Sequence, residues 1–333
     1  MLIFYYVFKD RIQYFCQKSF KFIMLSKLSS RTFESTSPAC DLCPVTELQS
    51  KYHIRTLLEK VVLLANSTSL DAPSVAVIWL WCFSHLYSSS IEFHHYLILF
   101  SVTWLAYSGD RLLDSIRMPT LHGKPPRHIF STVYFKPLVY VWGLVAALSI
   151  LYLFNNLYLS EIVWGTCLLF ILSVYYLGCF CFPRPVRGFI PRELLVGLFF
   201  SSATHFFILI QLRHWSFYSL WTFVCFLSLC SLNCLSISRW ELSTDKQVGE
   251  VTFFTTNPKQ IHRFRPVLII FICLQIFACI FVIAVHGIPL FEMSVLSSAI
   301  LLLLLDRFSL SPDLNPVLAD FALFTPCVFL SFI

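Results

Sequence analysis

Nine stretches of this chain are apolar almost without interruption, and the polar residues gather between them. The runs lie at 73–90, 95–109, 134–154, 160–181, 193–211, 216–237, 266–286, 288–305 and 315–332. A helix of about 20 apolar residues crosses the hydrocarbon core of a bilayer. The pattern therefore predicts an all-α polytopic membrane protein with about nine transmembrane helices. It assigns residues 55–333 to a transmembrane domain and 1–54 to a basic cytoplasmic head. The last three runs are joined by short hairpin connections.

The polar segments carry the orientation. Of the 24 Lys and Arg residues, Arg213 alone falls on one side of this threading, and all the others fall on the opposite side. Basic residues collect on the cytoplasmic face of a membrane protein. The predicted topology has a cytoplasmic N-terminus and a C-terminus beyond a bacterial inner membrane. Adding or removing one early helix would scramble the segregation.

Composition narrows the class further. Charged residues make up 13% of the chain and hydrophobic ones 57%, where a soluble domain carries about 25% charged. Most of the surface therefore faces something other than water, and no nucleic-acid partner is expected. Most of the 13 cysteines lie inside apolar runs, where a thiol acts as a small hydrophobe. Cys40 and Cys43, with His53 nearby, have metal-like spacing, but a structural zinc takes four ligands. A reduced, unligated pair in the head is the expectation. The segment Leu2–Phe8 is too short to span and is followed by its basic residues, the reverse of a secretory signal. It reads either as a basic interfacial segment or as sequence ahead of a true start at Met24. Residues 29–41 read as a Ser/Thr-rich disordered linker.

Two acid pairs stand out. Tyr107-Ser-Gly-Asp110-Arg111-Leu-Leu-Asp114 closes the second run, and Arg239-Trp240-Glu241-Leu-Ser-Thr-Asp245 follows the sixth. Each pair is spaced i, i+4, which places both carboxylates on one helical face, one turn apart. Solvated loop acids paired with Arg111, Arg117, Arg239 and Lys246 would be the plain explanation. Against it, like charges at this spacing repel, and the macrodipole disfavours anions near a helix C-terminus. The same arrangement made twice suggests a compensating cation. Hard oxygen ligands suit Mg²⁺, which takes one or two carboxylates and completes its shell with water and phosphate.

On these motifs the chain resembles the UbiA-type intramembrane prenyltransferase superfamily, which has nine helices and two Asp-rich motifs after helices 2 and 6. The first family motif, Asn-Asp-x-x-Asp-x-x-x-Asp, matches at Asp110 and Asp114 but meets Ala106 and Tyr107 at its opening pair. The second, Asp-x-x-x-Asp, falls on Glu241 and Asp245. The family's Tyr-x-x-x-Lys-like element after helix 4 is matched loosely by Phe182-Pro-Arg184-Pro-Val-Arg187. Residues 69–73 (Ser-Leu-Asp-Ala-Pro) and Arg192-Glu193-Leu-Leu-Val-Gly197 add likeness to a divergent bacterial branch. The resemblance implies a UbiA-like bundle that transfers a prenyl group from a polyprenyl diphosphate to an aromatic or other lipid-soluble acceptor. Asp110, Asp114, Glu241 and Asp245 would be the catalytic and Mg²⁺-binding residues. Arg111, Arg184 and Arg187 would bind the diphosphate, with Asn233 and Tyr107 behind them.

Other polar residues receive plainer expectations. Asp71 reads as a helix cap or first-turn acid, and Glu193 as a first-turn acid beside Arg192. For Asn233, contact with the site and helix–helix hydrogen bonding are both open. His205, Gln275 and Asp320 should face inward. Trp79, Trp81 and Trp104 read as packing or interface anchors. Glu92, His94 and His95 read as far-side loop residues without a partner motif. The competing functional class is a transporter, or a catalytically lapsed relative kept as a lipid-binding scaffold. Transporters place ionisable groups near the midplane, whereas these acids gather at one boundary.

Overall fold

The computed structural model describes residues 62–117, 126–181, 191–212, 216–285, 288–308 and 314–330. Chain contacts part Met1–Ile54 from Arg55–Ile333, and every described residue lies in the second unit. The Cys40/Cys43/His53 group, the basic N-terminal segment and the linker lie outside the described residues.

Every regular element among the described residues is helical. After helical residues 62–67 and a turn at 68–69, the chain forms α1 (Asp71–Leu86), α2 (Phe93–Arg117), α3 (Pro126–Val133), α4 (Phe135–Asn156) and α5 (Leu159–Cys181). There follow α6 (Arg192–Gln211), α7 (Phe217–Trp240), α8 (Leu242–Val248) and α9 (Phe253–Thr256). A 3-10 turn at Pro258–Gln260 leads into α10 (Ile261–Val285), then α11 (Leu290–Phe308), α12 (Asn315–Phe321) and α13 (Pro326–Leu330). Among the described residues, eight of the nine predicted apolar runs each fall mainly on one helix.

Four helical stretches among the described residues are long and apolar enough to cross a membrane: Phe135–Asn156, Arg192–Gln211, Phe217–Trp240 and Pro258–Val285. Leu159–Tyr175 within α5 and Asn315–Phe329 are shorter apolar stretches, and the remaining helices are shorter or carry more polar residues. α1 has 16 residues, α2 ends in Asp110, Arg111 and Asp114, and α11 holds Glu292, Asp306 and Arg307. α4 buries none of its residues, and Tyr140, Leu151 and Phe154 are largely exposed. α10 likewise turns Ile270, Phe277 and Ile280 outward. Surfaces this apolar and this exposed are compatible with lipid as the solvent.

The core lies among α1, α7 and α11. Trp79 and Phe83 of α1 meet Phe226 of α7 at ring-centroid distances of 4.5 and 5.4 Å, and Phe83 meets Phe291 of α11 at 5.8 Å. The final predicted span is not one continuous helix. A 3-10 turn at Ala322–Phe324 separates α12 from α13, and the buried Trp79 indole Nε1–H donates to the Leu323 carbonyl at 2.8 Å. The Thr325 hydroxyl adds a 2.8 Å bond to the Ser294 carbonyl. The broken segment is thus pinned inside the bundle, since irregular backbone is tolerated at membrane depth only where protein satisfies it.

His95 corrects one expectation. It is not a loop residue: it lies in the first turn of α2, and its Nε2 lies 3.1 Å from Glu161 Oε1, both side chains nearly fully buried. Glu161 also accepts from the Tyr158 amide at 2.9 Å, so this pair ties the start of α2 to the start of α5.

Packing is most extensive between α6 and α7, where small residues let the backbones approach. A Cβ on Gly197 would lie 2.9 Å from the Ser231 amide nitrogen and 3.1 Å from its Cα. Because that neighbour is backbone, it cannot swing aside. Gly197→Val is expected to cost about 1–3 kcal/mol, read as a lower melting temperature in detergent. Gly143→Ala on α4, where nothing lies within 4 Å, should stay within about 0.5 kcal/mol or gain slightly. Equal melting temperatures for the two variants would contradict this packing.

Candidate functional site

α2 supplies the first acid pair. The helix continues past the predicted run to Arg117, so Asp110 and Asp114 sit on its last two turns rather than in a loop. α7 supplies the second pair. Glu241 caps that helix, its amide bonding to Ile237 O at 3.0 Å, while its own carbonyl accepts from the Asp245 amide at 2.8 Å. The helical turn is therefore carried across the α7–α8 junction, and Glu241 and Asp245 keep their one-turn spacing. Gly249 then ends α8 in the left-handed region at φ 76°, a conformation that favours glycine. The Glu250 amide returns to Asp245 O at 2.8 Å, which turns Glu250 back toward the acids.

The four carboxylates line one cavity of about 240 Å³. Tyr107 and Arg111 of α2, and Asn233, Cys234 and Ser238 of α7, line it too. So do several residues the motifs did not single out for the site: Asn66, His128 of α3, Arg192 and Glu193 of α6, Glu250, Thr252 and Asp320 of α12. Arg184 and Arg187 lie outside the described residues.

Hydrogen bonds fix the walls. Arg192 Nη2 donates to Asp110 and stands 4.0 Å from Asp114 Oδ2, and Nη1 reaches Glu250 at 3.5 Å. Arg111 donates to the Asn66 carbonyl, and Asn66 donates in turn to Asp71, whose other oxygen accepts from the Ala72 amide at 3.0 Å. Asp71 is thus a first-turn acid that braces the wall of the site. Glu193 accepts from the Phe253 amide at 2.9 Å, securing the α8–α9 segment to α6. Asn233 donates to Asp320 at 2.9 Å, so it both faces the cavity and bonds between helices.

Arg239 turns elsewhere. It donates to Asp306 together with Arg265, while the Trp240 indole reaches the same carboxylate at 3.3 Å. The Arg239 guanidinium also sits 5.5 Å from the Phe264 ring centroid. The idea that Arg239 neutralises Glu241 or Asp245 is therefore replaced by a separate cluster on α7, α10 and α11.

The cavity suits a hydrated cation by donor chemistry. Among the described residues, no three His, Cys, Asp or Glu side chains converge on one point as metal ligands. Mg²⁺ does not need three, since it takes one or two carboxylates and fills its octahedron with water and phosphate. Glu193 Oε2 and Asn233 Oδ1, on side chains that line the cavity, are buried acceptors with no hydrogen-bond partner in the protein. Acceptors of this kind fit bound water or an ion.

No protein-family profile, characterised protein or solved structure matches this chain.

Glu250 and His128 were missed because neither belongs to a motif, although Gly249 directly after the Lys246-Gln-Val stretch was a readable chain reversal. The Asp306 cluster yields a pH test. The predicted run at 288–305 ends one residue before Asp306. Burial pushes this carboxyl up, but the bonds and charges of Arg239 and Arg265 outweigh burial and hold it below the usual 3.8. A depressed carboxyl stabilises fully above that value and loses its contribution as pH falls through the lowered one. Asp306→Asn should cost roughly 1–3 kcal/mol near neutrality, discounted because Arg265 is half exposed. Below about pH 4 the wild-type advantage should shrink. An advantage that grows with acid, measured by thermal melts across pH, would refute it.

Proposed function

We propose that this chain is a Mg²⁺-dependent intramembrane prenyltransferase with a UbiA-like nine-span arrangement. It moves a prenyl group from a polyprenyl diphosphate to an aromatic or other lipid-soluble acceptor. The observation that carries this reading is that acid pairs from α2 and from the α7–α8 junction line one cavity with Arg111 and Arg192. Carboxylates and guanidiniums in one pocket suit a metal–diphosphate headgroup better than either ion alone. The cavity stands at one end of apolar helices, where an amphiphile would place its polar head.

Asp110, Asp114, Glu241 and Asp245 are the carboxylates that would hold Mg²⁺. Bound there, the ion would supply Lewis-acid stabilisation of charge on the departing diphosphate. Arg111 and Arg192 would meet phosphate oxygens, as would Arg184 and Arg187 from their place in sequence. The allylic C–O bond breaks with its electron pair leaving on the diphosphate. The acceptor then forms the new bond to the prenyl carbon and releases a proton. Tyr107 lines the cavity and packs against Phe200 with centroids 6.2 Å apart, so an aromatic face is available to a developing allylic cation. A second reading, a lapsed relative that binds lipid diphosphate without turnover, draws support from Ala106 and Tyr107 at the opening pair of the first motif.

Purified full-length chain should retain radiolabelled farnesyl or geranylgeranyl diphosphate in Mg²⁺ and lose it in EDTA. Asp114→Ala and Asp245→Ala should each lower retention by about tenfold or more, the equivalent of about 1.4 kcal/mol. Retention that ignores EDTA and both substitutions would remove the basis for the proposal. Retention with no prenylated product in a lipid extract would leave the lapsed reading in its place.

A further inference from the structure

Two side chains on the cavity wall each spend one polar atom on the fold and leave another over. Glu193, in the first turn of α6, accepts the Phe253 amide through Oε1 at 2.9 Å. Its Oε2 is buried and has no hydrogen-bond partner in the protein. Asn233 of α7 donates through Nδ2 to Asp320 at 2.9 Å, and its Oδ1 is buried in the same condition. The bond to a carboxylate settles which end of that amide is oxygen. A buried acceptor left unmet is costly, which favours a donor brought by a ligand.

The helices bring these atoms to one place. α6 and α7 run antiparallel: Gly197 meets Ser231, Phe200 meets Phe226 and His205 meets Phe223. Glu193 lies one turn before Gly197, so it stands beside the part of α7 that follows Ser231, between Asn233 and Ser238. The Ser238 hydroxyl lines the same cavity, buried and without a partner. Glu193, Asn233 and Ser238 are 5%, 3% and 6% exposed. A hydroxyl group answers this set, because it gives a hydrogen to a carboxylate or amide oxygen and takes one from serine. A metal ion or an ammonium group would offer the Ser238 O–H no acceptor.

We infer that Glu193, Asn233 and Ser238 form the subsite for the acceptor, and that the acceptor is a phenol or alcohol held by its hydroxyl. This rests on the prenyl-transfer reading above and names the acceptor class that the reading leaves open. The four motif carboxylates keep the Mg²⁺, and the arginines keep the diphosphate.

The test compares 2-naphthol with 2-methoxynaphthalene, in which a methyl group replaces the hydroxyl hydrogen. Both are dialysed to equilibrium against the full-length protein in detergent, with protein-free micelles as the blank. Wild type should bind the naphthol about tenfold or more tightly, a modest share of what unpaired buried polar groups can impose. E193Q keeps an oxygen for the Phe253 amide but offers the ligand an N–H donor, which the oxygen of either probe can accept. Its preference should fall to about one. No preference in wild type, a comparison that needs no variant to fold, overturns the inference. So does a preference in E193Q equal to that of wild type. Retention of labelled farnesyl diphosphate on the same preparation separates this inference from the reading beneath it. No naphthol preference beside Mg²⁺-dependent retention removes the subsite alone. A tenfold preference beside retention that ignores EDTA keeps the hydroxyl subsite and removes the metal–diphosphate reading.

Discussion

Carboxylates gathered in a partly dehydrated cavity must be offset by positive charge, and this constraint organises the polar end of the bundle. Asp110 and Asp114 are held on one helix, while Glu241 and Asp245 straddle a junction between two others. Seven acidic side chains line the cavity among the described residues, against Arg111 and Arg192 as permanent cations. Charges of one sign this close repel strongly when water is excluded. Several contacts around the cavity offset these charges. Arg192 bridges to three carboxylates, Glu193 spends one oxygen on the Phe253 amide, and Asp320 accepts from Asn233. Under the proposed function, a bound Mg²⁺ would add positive charge to this set.

The scaffold keeps these groups in register. Continuation of α2 beyond its apolar run holds the first pair rigid, and the close approach of α6 to α7 at Gly197 and Ser231 fixes the distance between the walls. The Asp306 cluster draws Arg239 and Arg265 to the neighbouring helices, which keeps Arg239 from collapsing onto the second acid pair. Aromatic packing among Trp79, Phe83, Phe226 and Phe291 supplies cohesion that lipid exclusion alone would not, since apolar side chains gain little by leaving lipid for protein.

Helices were legible in the sequence because apolar runs report directly on burial or lipid contact. The acid pairs were legible because i, i+4 spacing on a helix survives folding. What the sequence could not disclose is which distant charges meet. Nothing in spacing links Arg192 to Asp110, Glu161 to His95, or Asp306 to Arg239, because such pairings depend on how helices cross rather than on any local period. Sequence neighbours even misled: Arg239 lies two residues from Glu241 yet serves Asp306. The break in the C-terminal helix was partly readable, since Pro326 cannot donate to the Ala322 carbonyl and biases the preceding residue out of the helix. What the sequence did not disclose is the tertiary partner at the break, the Trp79 indole, which donates to the Leu323 carbonyl at 2.8 Å.

The central claim is that two acid pairs remote in sequence act on one ligand. The direct measurement is an anomalous density map of the protein with Mn²⁺ and inorganic pyrophosphate. The account predicts ion density within coordination distance of carboxylates from both pairs, Asp110/Asp114 and Glu241/Asp245, with phosphate between them. Absence of any ion there, with the carboxylates of α2 and of the α7–α8 junction facing apart, would contradict it.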